Sequence, residues 1–117
     1  IKQYCNLHGY TFHSEHSSLD PTRTMHWSKL LLLGQLMCDT HAVYDWYVWI
    51  DDDIYLTDLD TRLEELLAPY TFDDVLVSKD PSRWNPFNSG FLVMKNTSRV
   101  QRMLAKVWKI GSHVHLS

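Results

Sequence analysis

The chain is poor in the residues that mark several whole classes of protein. It has two cysteines, Cys5 and Cys38, far apart and with no C-x-x-C pair, so neither a zinc site nor a redox motif is indicated. Two buried free thiols are the expected state, with a disulfide as the alternative. Four glycines and four prolines in 117 residues are too few for a low-complexity segment. No apolar run approaches the roughly 20 residues of a membrane span, and no signal-peptide pattern opens the chain. Basic charge is not in excess: 11 Lys and Arg stand against 14 Asp and Glu, which disfavours a nucleic-acid partner. A G-x-x-x-x-G-K-[ST] loop is absent. The first residue is Ile, not Met, so the chain is expected to be processed or cut from something longer.

What is present is aromatic and acidic. Hydrophobic residues make up 44%, with five Trp, six Tyr and four Phe, so a packed core is expected and a disordered tail is not. Residues 39–74 hold eleven acids and a single base, Arg62, whereas residues 75–117 hold seven bases and one acid, Asp80. The net charge of −3 therefore averages an acidic middle and a basic end. An anionic ligand held through a metal would suit the acidic middle. Of seven histidines, His8, His13, His16, His26 and His41 are scattered without ligand spacing.

Residues 2–8 read as a helix stopped by Gly9, and YTFHS at 10–14 alternates like a short strand. MHWSKLLLLGQLMCD at 25–39 reads as a largely buried helix, in which Gly34 suggests close packing against a neighbour. YDWYVWI at 44–50 is a continuous apolar run, the mark of a strand covered on both faces. Residues 58–67 read as a helix capped by Asp58 or Asp60 and ended by Pro69. Residues 75–78 and 90–95 read as strands, with a loop at 79–88. A final helix carries Val100, Met103, Leu104, Val107 and Trp108 on one stripe and Arg99, Arg102, Lys106 and Lys109 on the other face. Helices alternating with buried strands predict an α/β domain with a mainly parallel sheet.

Asp51, Asp52 and Asp53 directly follow the WYVWI run. Adjacent carboxylates repel, and a divalent cation relieves the repulsion. Alternation along an extended chain would aim Asp51 and Asp53 to one side. Two oxygen donors suit magnesium or manganese, whose remaining positions go to water or phosphate. The alternative is a surface acidic turn or cap.

With these residues in view, YDWYVWIDDD at 44–53 resembles the strand and D-x-D motif of GT-A nucleotide-sugar glycosyltransferases. Gly9-Tyr10 resembles the opening of the second strand in glycosyltransferase family 34, the galactosyl-, mannosyl- and xylosyltransferases. Trp27-Ser28-Lys29-Leu30 resembles the W-x-K start of the helix before D-x-D, and FNSGFLVM at 87–94 resembles the N-[ST/A]-G strand of families 34 and 8, glycogenin-like enzymes included. The resemblance runs over roughly residues 4–108. It implies a Rossmann-like three-layer sandwich, of which residues 1–117 would be one partial catalytic domain holding the donor and metal core.

The resemblance implies Asp53 as principal metal ligand and Asp51 as a contact to the metal or the donor ribose, with manganese or magnesium as cofactor. Asp52 would join Asp51 and Asp53 in binding the donor, although it is unusual at a position more often small or neutral. Lys29 would meet the donor diphosphate or sugar, the alternative being a solvated helix lysine. Asn88, Ser89 and Gly90 would line the donor sugar, the alternative being a polar turn, and Trp84 would stack on a sugar or pack. No residue is assigned as a catalytic base, because retaining front-face transfer needs none. The family's first strand would precede residue 1, and its third metal ligand, a downstream histidine, would follow the chain; His113 and His115 come too early for that role. The implied partners are a nucleotide diphosphate sugar and a glycan or glycoconjugate acceptor, and the implied setting is the Golgi lumen. Asn96-Thr97-Ser98 fits the N-glycosylation pattern, with helix capping by Asn96 as the alternative. Rival readings are a non-catalytic module or fragment derived from a transferase, and a divalent-metal phosphohydrolase using the same aspartates.

Overall fold

A computed structural model describes residues 1–14, 25–41, 43–79 and 87–110. Helix α1 (Lys2–His8) ends as expected at Gly9, whose φ of 76° is left-handed and favours a residue without Cβ. Helix α2 (Met25–Met37) leads to strand β1 (Trp46–Ile50), a short helix α3 (Leu63–Leu67) with a 3-10 turn (Ala68–Tyr70), strands β2 (Val75–Lys79) and β3 (Phe87–Lys95), and helix α4 (Ser98–Ile110).

The sheet has the order β1-β3-β2, and both ladders are antiparallel. The mainly parallel sheet expected from the sequence is therefore corrected for the described strands. Unbroken apolar runs report burial on two faces, and that burial is blind to strand direction. β3 is central, so both its edges are paired. Leu92 and Met94 join Leu33 and Met37 of α2, Tyr47 of β1 and Val100 and Leu104 of α4 in one core. On the opposite face, Phe91 and Val93 line a cavity of ≈ 270 Å³ with Leu66, Leu67 and Tyr70.

Four local expectations change. Residues 10–14 form no strand; Thr11 Oγ1 instead donates to Tyr44 Oη at 2.9 Å. The helix expected from residue 58 starts only at Leu63, because the Asp58 carboxylate accepts from the Asp60 and Thr61 amides (3.0 and 3.1 Å) and turns the chain there. A Cβ at Gly34 would meet nothing within 4 Å, so close packing does not explain that glycine. Cys5 and Cys38 are free thiols, but neither is fully buried: Cys5 is half-buried and Cys38 is exposed.

The stripe on α4 holds, with Val100 and Leu104 buried, Met103 and Trp108 half-buried and Val107 exposed at its end. Its cap is Thr97, whose Oγ1 accepts from the Val100 amide at 3.1 Å. Asn96 bridges elsewhere, its Nδ2 donating to the Tyr44 carbonyl (3.0 Å) and its Oδ1 accepting from Gln101 Nε2 (2.9 Å).

Candidate functional site

The site forms where β1 ends. The last paired residue is Ile50, opposite Phe91, and the Asp51 amide extends the ladder by donating to the Gly90 carbonyl at 2.8 Å. The chain then turns, closed by the Ile54 amide donating to the Asp51 carbonyl at 3.1 Å. Strand alternation therefore stops at Asp51, and it cannot be used to place Asp53 on the same side. Asp51 is half-buried against the sheet, whereas Asp52 and Asp53 are exposed in the turn.

β3 is irregular at the same point. Val77 of β2 faces Leu92, yet the next residue, Ser78, faces Asn88. Three residues, Ser89, Gly90 and Phe91, bulge out of the β2 ladder while the β1 side stays bonded. Bulges gather beside functional sites because they re-aim a strand locally. Asn88 and Ser89 thus lie in a strand and not in the expected loop or turn, and Gly90 is buried against Asp51.

Lys29 comes from α2 and is only 7% exposed, which removes the reading of a solvated helix lysine. Burial pushes its ammonium below the ordinary lysine range, and the negative charge of Asp51 pulls it back up. Lys29 of α2 thus feels the charge of Asp51, whose amide is bonded to Gly90 of β3. Trp84, His113 and His115 lie outside the described residues, as do the side chains of Trp27, Asn88 and Ser89.

Trp49 is a neighbour of the candidate site that the sequence does not single out. Its Nε1 donates to Asp51 Oδ1 at 2.6 Å, and its ring packs on the core. The available signal is its position two residues before Asp51, which puts both side chains on one face of an extended strand.

Among the described residues no three His, Cys, Asp or Glu side chains gather as a metal cage. The acidic donors at this strand end are carboxylate oxygens alone, two of the three in an exposed turn. Such a set suits a hard divalent ion whose other positions go to water or phosphate oxygens, and so fits magnesium or manganese. No helix among the described residues is long and apolar enough to cross a membrane.

Comparison with known proteins gives concordant findings. The model of the galactosyl transferase GMA12/MNN10 family matches residues 2–104. The chain is similar to a probable glycosyltransferase 7 of Oryza sativa subsp. indica, 29% identical over 99 residues, covering 80% of this chain and 22% of that protein. It is similar also to galactomannan galactosyltransferase 1 of Cyamopsis tetragonoloba, 25% identical over 99 residues, again covering 80% and 22%. The chain thus spans about a fifth of the length of the curated relatives it matches. Its fold matches a crystal structure of a glycosyltransferase involved in the glycosylation of the major capsid of PBCV-1, with a TM-score of 0.70, 18% identity, and coverage of 93% of this chain and 56% of that one.

Proposed function

Because the chain belongs to the galactosyl transferase GMA12/MNN10 family, we propose that it carries the donor and metal-binding core of a retaining glycosyltransferase. The reaction moves a sugar from a nucleotide diphosphate sugar to a glycan or glycoconjugate acceptor. The observation that carries this reading is Asp51 at the strand end, bonded through its amide to Gly90 and within the electrostatic reach of the buried Lys29, beside the exposed Asp52 and Asp53.

In this reading Asp53 and Asp51 hold manganese or magnesium. The bound ion supplies Lewis-acid neutralisation of charge on the diphosphate leaving group. Lys29 adds a cationic group from the protein itself, and its burial strengthens its pull on an anionic ligand. Asn88 and Ser89 offer hydrogen-bonding groups to sugar hydroxyls, the Gly90 backbone comes close without a side chain, and Trp84 offers an aromatic face. No residue is given the role of base, since front-face transfer lets the leaving diphosphate take the acceptor proton.

Calorimetric titration of the chain with UDP- and GDP-sugars, with manganese or with chelator, tests this. Binding is expected only with manganese, and Asp53→Ala is expected to abolish it. Equal affinity with chelator and with manganese would overturn the reading.

A further inference from the structure

The acidic triplet holds one fixed carboxylate and two loose ones. Asp52 and Asp53 are exposed in the turn, while Asp51 is tied through its backbone to Gly90 and through Oδ1 to the indole of Trp49. The half-buried indole N–H needs a hydrogen-bond acceptor, and it takes a charged carboxylate at 2.6 Å. The ring itself is anchored, packed against the core formed by Leu33, Leu92 and Leu104 among others. A rigid donor on a paired strand therefore sets the orientation of the first acid of the triplet.

We propose that Trp49 is a positioning residue: its indole N–H fixes the Asp51 carboxylate in the orientation used to hold the divalent cation. The proposal rests on the reading of Asp51 as part of a cation and donor site. It divides the labour of the triplet. Asp51 is set in place before any ligand arrives, and Asp53, in the turn, adapts to what is bound. Pre-orientation of a ligand by an outer hydrogen bond saves the ordering cost at the moment of binding, and loss of such a partner typically lowers metal affinity by about 10- to 100-fold.

Two measurements on the full chain test it, neither needing turnover. In nitrogen-15 NMR without metal, the Trp49 indole N–H resonance is expected to move in Asp51→Asn and to stay in Asp73→Asn, an exposed acid elsewhere. A resonance indifferent to Asp51→Asn would overturn the proposal. Manganese affinity is then read by electron paramagnetic resonance. Trp49→Phe is expected to weaken it about 10- to 100-fold. Replacement of Trp49 by its sulfur isostere, which keeps the ring shape and removes only the donor, is expected to do the same and guards against a folding defect. Unchanged affinity in the isostere, with the unaltered chain binding manganese, would overturn the positioning role alone. No manganese binding by the unaltered chain would overturn the metal reading beneath it, and the positioning role with it.

Discussion

The face of the sheet that meets α2 and α4 is held by apolar burial, whereas the segment following the acidic triplet is held to α1 by hydrogen bonds among largely exposed side chains. In the first region Leu33, Met94, Val100 and Leu104 are each at most 3% exposed. In the second, Tyr10 Oη donates to Glu64 Oε2 at 2.6 Å and accepts from the Leu63 amide at 2.9 Å. Arg62 Nη2 donates to the His8 carbonyl at 3.1 Å, and the guanidinium lies 5.5 Å from the centre of the Tyr10 ring. His8 Nε2 lies 2.7 Å from the Leu59 carbonyl, which can only accept, so this nitrogen carries the proton. Tyr4 Oη donates to the Thr61 carbonyl. Burial is non-directional and sums over area, while the clasp depends on a few directed contacts that titrate. The chain leaving the acidic turn is thus fastened by the weaker and more adjustable of the two devices.

The largest expected effect lies in the first region. Leu104→Ala removes a buried side chain from the middle of α4 and is expected to cost about 2–5 kcal/mol of global stability, read by urea denaturation. Amides throughout β1 and β3 should lose protection together. A loss below about 1 kcal/mol would mean that this face is not the cooperative core.

Tyr10→Phe is the matching cut in the clasp, and a smaller one. It removes one hydroxyl that serves two bonds, at an expected cost of about 1 kcal/mol. The loss should be local: faster hydrogen exchange at Leu63, with the β1–β3 ladder unchanged. Global destabilisation equal to that of Leu104→Ala would erase the distinction between the regions.

The same contrast explains what is legible in the sequence. Helix α4 and its stripe are readable because burial there follows a single local period, from Val100 through Leu104. Gly9 is readable because one backbone conformation demands it. The clasp is not, since Tyr10 and Glu64 are 54 residues apart and no periodicity links them. Resemblance singles out Lys29, but its burial comes from tertiary packing that a helical lysine does not announce. Strand alternation assigns Asp51 and Asp53 to one side, an argument that ends where the ladder ends, at the turn.

Acid separates the two regions most finely. The Tyr10 hydroxyl holds the Glu64 carboxyl below its ordinary 4.5, and hydrogen bonds from the Thr61 hydroxyl and amide hold Asp58 below its ordinary 3.8. A carboxyl lowered in the fold stabilises it above the unfolded value, and that contribution fades as pH falls through the folded value. The clasp should therefore loosen below about pH 4.5, while the core cluster of Leu33, Met37, Tyr47, Leu92, Met94, Val100 and Leu104 contains no carboxylate. Alkali discriminates less well. Tyr10 is pushed up to about 12, chiefly by burial, so its stabilisation fades as pH rises from 10 towards 12; burial raises Tyr47 in the core as well. Hydrogen exchange at Leu63, stepped from pH 6 to pH 3 and corrected for intrinsic rates, is expected to show protection falling ahead of that in the β1–β3 ladder. In Tyr10→Phe that acid step should shrink, because the main cause of the Glu64 shift is gone. An acid step of equal size in both proteins would place the proton-sensitive contact somewhere other than the Tyr10–Glu64 bond.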